Sequence, residues 1–151
     1  MKNQVLKIKT TIQENSDDGR EVDNSTWYAD GNTGKVITFG NFDGVSQTAA
    51  FRFRGVNIPK FAKVVFAQLR LKAAATDATD FPVLLKIKGI KESDPQPFKQ
   101  ATKPSTRTLT SNGIDWDIIK KWNANEWVQT PNLKLVIDEL VNRLTGNLVM
   151  L

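Results

Sequence analysis

Residues 48–75 read TAAFRFRGVNIPKFAKVVFAQLRLKAAA. Ala49, Phe51 and Phe53 alternate with Ala50, Arg52 and Arg54, the period of a strand with one apolar and one polar face. Gly55-Val56-Asn57-Ile58-Pro59 breaks that period, and Pro59 has no N–H to give to a ladder. A second strand is predicted beyond it. Val65, Ala67, Leu69 and Leu71 fall on one face; Gln68, Arg70 and Lys72 fall on the other. Val64 and Phe66 make its first half apolar on both sides, as where both faces are covered. The connector is too short for a helix. Two strands joined by a tight link are therefore the frame, and the rest of the chain is expected to pack on their apolar faces.

Working outward, residues 4–12 alternate as a first strand, with Leu6, Ile8, Thr10 and Ile12 opposed to Val5, Lys7, Lys9 and Thr11. A polar loop follows, and Trp27-Tyr28 opens a short ordered segment. DGNTG at 30–34 is a hairpin signal, Lys35 to Phe39 the returning strand, and Gly40 to Gly44 a further turn. Phe81-Pro82 opens a strand with Val83, Leu85 and Ile87 inward and Lys86 and Lys88 outward. Residues 92–112 carry Pro95, Pro97 and Pro104 and are predicted irregular, with a short strand at Thr106 to Leu109 and another beyond them at Ile114 to Ile118. One helix is predicted from Pro131 to about Leu144, with Thr130 as N-cap. Leu133, Val136, Ile137, Leu140, Val141 and Leu144 form its apolar stripe. Gly146-Asn147 ends it, and Leu148 to Leu151 is a last strand. Many short strands with turns between them predict an all-β, jelly-roll-like antiparallel β-sandwich with one short amphipathic helix near the C-terminus.

The 151 residues make one ordinary domain, 1–151, with enough chain for a real core. There is no Cys and no His. That excludes disulfides, thiolate and imidazole metal sites, Ser-His-Asp and Cys-His catalysis and histidine switches. Apolar runs are too short for a membrane helix, and the alternating residues 1–12 lack the continuous apolar stretch of a secretion signal. The net charge of +5 suits simple solubility. The chain has no RNP pattern, zinc knuckle or helix-turn-helix spacing, so nucleic acid is not an expected partner.

SDDGREV at 16–22, residues 47–75 and TPNLKLVIDELVNRLTGNLVM at 130–150 resemble a family of bacterial jelly-roll modules. It is similar to the DNRLRE-type and carbohydrate-binding-module-like domains of large surface and secreted proteins, and related modules occur in phage particles. The resemblance runs from about Thr11 onward. It implies a non-catalytic sandwich that serves in assembly or binds glycans. Two features differ. Only Leu144-Thr145 separates Asn142-Arg143 from Gly146-Asn147, where family members carry a longer insertion, and no final strand follows residue 151. These differences fit a short protein built into a particle. The expected role is thus a structural protein of a phage-like virion, a capsid decoration or tail component made in the host cytoplasm. Its partners would be other virion chains or itself. The alternative is a glycan-binding module at the cell surface or outside the cell.

Candidate residues follow from this. Trp122 and Trp127, with Asn123, Asn125 and Glu126, offer an aromatic platform with hydrogen-bonding neighbours for a sugar; Trp116 is expected inside. Asp17, Asp18 and Glu21 are candidate oxygen ligands for calcium, but acidic loops are more often simply solvated, and no cofactor is expected. Arg52, Arg54, Arg70, Lys72, Lys86 and Lys88 are expected outward. Asp115 and Asp117, two apart on a strand, are the one carboxylate pair whose spacing suits acid–base chemistry, and no enzyme activity is expected from them alone. Leu148, Val149, Met150 and Leu151 form an apolar edge without a following strand, so completion by another chain is expected there.

Overall fold

The computed structural model describes residues 5–29, 36–42, 44–59, 62–76, 82–141 and 148–150, with the backbone alone for Phe42 and 148–150. Its strands are β1 (Asp18–Val22), β2 (Thr26–Tyr28), β3 (Gly40–Phe42), β4 (Val45–Phe53), β5 (Arg70–Lys72), β6 (Val83–Ile87), β7 (Ile114–Ile118), β8 (Trp127–Gln129) and β9 (Leu148–Met150). One helix, α1 (Lys134–Val141), lies between the last two. All pairings among the described residues are antiparallel. The chain is an all-β, sandwich-like fold with one short helix near its C-terminal end, as the sequence predicts.

The longest strand is β4, and it is central. One sheet runs β2-β1-β4-β3, with β9 also on β4. Strand β1 lies along Gln47–Phe51, while β3 takes Val45–Gln47 and β9 takes Phe51–Phe53. Ala49, Phe51 and Phe53 face inward, as their alternation predicts. Phe53 joins Val56, Ile87, Leu133, Val136, Ile137, Leu140 and Val141 in the main core. The opposite face of β4 is covered as well. Ala50 packs with Ile90 and Phe98, which arrive from the irregular stretch after β6. Arg52 is therefore buried, not outward as the sequence predicts. Alternation gives the parity of a strand; it does not show what a distant segment lays over the polar face.

Strand β3 corrects a second expectation. The sequence predicts the returning strand at Lys35 to Phe39 and a turn over Gly40 to Gly44. In the structure Gly40–Phe42 is the strand, and Phe42 pairs with Val45. Only Asp43-Gly44 lies between the paired residues, and Gly44 has φ +77°, the left-handed conformation that a tight hairpin favours. The DGNTG signal lies outside the described residues.

The second strand of the frame is shorter than expected, Arg70–Lys72 instead of the whole run from Val64. Its ladder with β8 pairs Leu71 with Val128 and Lys72 with Trp127. Ahead of Arg70 the chain lies beside α1 and the lead into it, where side-chain oxygens serve as acceptors. Thr130 Oγ1 accepts from the N–H of Leu69 (3.1 Å), Asn132 Oδ1 from Ala67 (3.1 Å), and Asp138 Oδ1 from Val64 (3.0 Å). With the carbonyls of Ala67 and Leu69 accepting from the N–H groups of Leu133 and Thr130 (2.8 and 3.0 Å), the segment is held without forming a strand. Val64 turns inward against the core, and Val65 and Phe66 are exposed, the reverse of the predicted face for Val65.

The same contacts move the start of the helix. Thr130 does not act as the expected N-cap, because its oxygen is engaged with Leu69. The first helical bond runs from the N–H of Ile137 to the carbonyl of Leu133 (3.1 Å), later in the chain than the sequence predicts. Asn132 Oδ1 also accepts from the N–H of Lys134 (3.1 Å), a side-chain cap of the kind that satisfies first-turn donors. The predicted stripe is buried at Leu133, Val136, Ile137, Leu140 and Val141. Its last position, Leu144, and the Gly146-Asn147 stop lie outside the described residues. The helix seats on Gly89, where a Cβ would stand 2.6 Å from Leu140 Cδ1, closer than any side chain there could approach. Glu139 ties the helix to the chain entering β7. It accepts from the N–H groups of Asn112 and Ser111 (2.9 Å each), and these bonds, helped by Lys91, lower its pKa to about 2.

The irregular stretch from 91 to 113 is held by polar staples. Two short 3₁₀ turns, Gln100–Thr102 and Pro104–Thr106, lie in it. An isolated bridge joins Ile90 and Leu109, in place of the short strand expected from Thr106. Gln100 bonds the backbone of Trp27 (2.8 Å) and Ser25 (2.7 Å). Residues 5–13 form no strand, although their alternation predicts the first one. They run without a strand partner among the described residues, and Ile12 alone among them packs against the main core.

Candidate functional site

The five residues of the expected glycan platform separate into two places. Trp122 stacks on Trp116 (ring centroids 5.7 Å apart, planes at 27°), and both rings meet Phe39 at 6.1–6.2 Å. This partly buried aromatic cluster anchors the end of β7, with Trp116 packed against the core as expected. Trp127 stands elsewhere, on β8, and is 57 % exposed. Between them, Glu126 caps its own turn: its Oε2 accepts from the N–H of Asn123 (2.9 Å), and Asn125 holds φ +66°. Asn123, Asn125 and Glu126 thus shape the turn entering β8.

What surrounds Trp127 comes from the partner strand. Leu71 and Val128 point inward, so Arg70, Lys72, Trp127 and Gln129 share the outward face of the β5–β8 pair. Lys72 is directly opposite Trp127. The Arg70 guanidinium lies over the indole, 5.1 Å from its centroid, a cation–π contact. The pairing of Arg70 with this Trp is invisible in the sequence because the two strands are far apart in the chain. The alternation that sends Arg70 and Lys72 outward is the available signal.

The three acidic residues considered for calcium do not converge. Asp17 is fully buried, with Oδ1 on Arg52 Nη1 (2.7 Å) and Oδ2 on Arg54 Nε (2.7 Å). Arg52 Nε donates to the carbonyl of Pro95 (2.6 Å), and Arg54 forks onto Glu14 (2.6 and 2.8 Å). Asp18 and Glu21, three apart on β1, point to opposite faces. Glu21 is buried against Lys103 Nζ (2.7 Å) and Ser105, which donates from both its N–H (2.8 Å) and its hydroxyl (2.5 Å). Burial raises the pKa of Glu21, but the donors outweigh it, and the carboxyl is held below its ordinary range. Asp17 and Glu21 are thus each paired with a buried or half-buried cation.

Between the sheet around β4 and the strands β5, β6 and β7 lies a cleft of about 520 Å³. Phe51, Leu69, Leu71, Leu85 and Trp116 form its apolar walls, and Asn41, Ser46 and Gln47 stand on its polar side. No carboxylate lines it among the described residues. Asp115 and Asp117 lie outside it, on the outward face of β7, where Asp115 pairs with Lys86 across the ladder (2.8 Å). The strand expected to lack a partner, Leu148 to Leu151, has one: β9 pairs with β4 in the same chain, Phe51 with Met150 and Phe53 with Leu148. Leu151 lies outside the described residues. Completion by another chain is therefore not needed to give this strand its first neighbour.

Among the described residues, a segment without a strand partner is at the other end of the chain. Val5 and Leu6 are 73 % and 66 % exposed, and Ile8 is also exposed. Apolar residues on both faces of residues 5–8 are the signal that this stretch does not lie on the protein's own core. Comparison of the chain with protein families, with characterised proteins and with solved structures gave no match. Among the described residues, no helix is long and apolar enough to cross a membrane.

Proposed function

We propose that this chain is a non-catalytic assembly protein of a phage-like particle, a capsid decoration or tail component built on a jelly-roll module. The observation that carries the reading is the segment from Val5 to Gln13. Among the described residues it makes no hydrogen bond to the rest of the chain, and it exposes Val5, Leu6 and Ile8. A stretch with exposed apolar side chains, whose backbone groups are unpaired among the described residues, is suited to pairing with another protein. Its partners on this reading are copies of itself or other virion chains.

A second reading is favoured by one surface. Trp127, with Arg70 and Lys72 on the same strand face, is suited to stacking on a sugar ring, as a glycan-binding module at the cell surface would do. Sedimentation velocity over a micromolar concentration series, run beside a glycan array, separates the two. An assembly protein is expected to rise in mass with concentration and to leave the array blank. A monomer throughout the series that binds sugars through Trp127 would overturn the first reading in favour of the second.

A further inference from the structure

Strand β7 pairs with β6 on one side, Val83 with Ile118 through Ile87 with Ile114. Its other side has no strand and no backbone hydrogen bond among the described residues. Native folds seldom leave such an edge bare. The segment from Val5 to Gln13 has the complementary need, since its own N–H and C=O groups are also unpaired among the described residues.

Laid antiparallel, the two fit in one register. Lys7 meets Asp117 and Lys9 meets Asp115 on the outward face. On the inward face Leu6 meets Ile118 and Ile8 meets Trp116. One position further, Val5 meets Ile119, and these two apolar residues are 73 % and 76 % exposed. Opposite charges and apolar pairs directly across a ladder are each favourable. A slip of one residue would set both lysines over the apolar face, so the register is strongly specified. Lys7, Lys9 and Asp117 have no ion-pair partner among the described residues. Within one protomer the segment leaves the core at Ile12, and residues 5–9 are not paired with β7.

Building on the assembly reading, we infer that residues 5–9 of one copy add as a third strand to the free edge of β7 in a second copy, with Lys7 opposite Asp117 and Lys9 opposite Asp115. The contact is heterologous, so it builds a ring or a filament unless two copies exchange strands reciprocally.

The chain's lack of cysteine allows a clean test. Residues facing each other across an antiparallel ladder have Cα atoms about 4.5–5.5 Å apart, within disulfide range. Lys7→Cys protein is mixed with Asp117→Cys protein, oxidised, and run on a non-reducing gel. The expected result is a dimer-mass band at least several-fold stronger than either variant gives alone. No excess of dimer in the mixture would overturn the inference, and so would a chain carrying both substitutions that closes as a monomer. Sedimentation of the unmodified protein keeps the two ideas apart. An oligomer that fails to cross-link sinks the β7 contact and leaves the assembly reading standing, whereas a monomer that fails to cross-link sinks both.

Discussion

Asp17→Ala is expected to destabilise the protein by about 3–5 kcal/mol, the range for breaking one side of a buried ion pair. The carboxylate is fully buried and contacts two guanidinium groups at 2.7 Å. Arg52 is itself 6 % exposed. Without Asp17 it would retain the Pro95 carbonyl at 2.6 Å and the Asp94 carboxylate at 3.9 Å, too distant to replace the lost bond. The cost arises mainly from the charge left behind, not from the pair's net worth. Asp17→Ala combined with Arg52→Leu should therefore cost less than the sum of the two single changes. Urea unfolding of parent, single and double variants measures this. Midpoints for Asp17→Ala within error of the parent would show that the network is not buried.

The second large effect is expected at Leu140. It is buried between Gly89 and the core residues of β4 and β6. Leu140→Ala removes methyl groups from a seat that has little room to collapse, because Gly89 already brings the backbone into contact with the helix. A loss of about 2–5 kcal/mol in urea unfolding is expected. Equal stability of variant and parent would mean that the stripe of α1 does not face the core.

Local periodicity makes part of this architecture legible. Phe51 and Phe53, Val83 to Ile87, Ile114 to Ile118 and the stripe from Leu133 to Val141 all show their buried face in spacing alone. The failures share a cause: the partner that decides each is distant in the chain. Arg52 lies on the polar side of its strand, as alternation says, yet Pro95 and Asp17 lie over it. The run from Val64 to Leu69 has strand periodicity, but its neighbours are the lead into α1, offering Thr130 and Asn132 oxygens, and α1 itself, offering that of Asp138, so no ladder forms. Asp17 and Glu21 look like cation ligands until Arg52, Arg54 and Lys103 are brought to them. Trp127 is recognisable as a surface aromatic, whereas its companions Arg70 and Lys72 require the β5–β8 register. Residues 4–12 alternate like a core strand, although Val5 beside Leu6 already places apolar groups on both faces.

The state of that segment decides whether copies join. Amide hydrogen exchange at two protein concentrations, one below and one above the range in which mass increases, reads it residue by residue. In the dilute sample residues 5–9 are expected to exchange at rates near those of an unstructured chain, and residues 148–150 to be protected by β4. On concentration, protection is expected to appear at residues 5–9 and on the outer edge of β7 together. Residues 5–9 that remain equally fast at both concentrations, or are protected even when dilute, would contradict strand addition between copies.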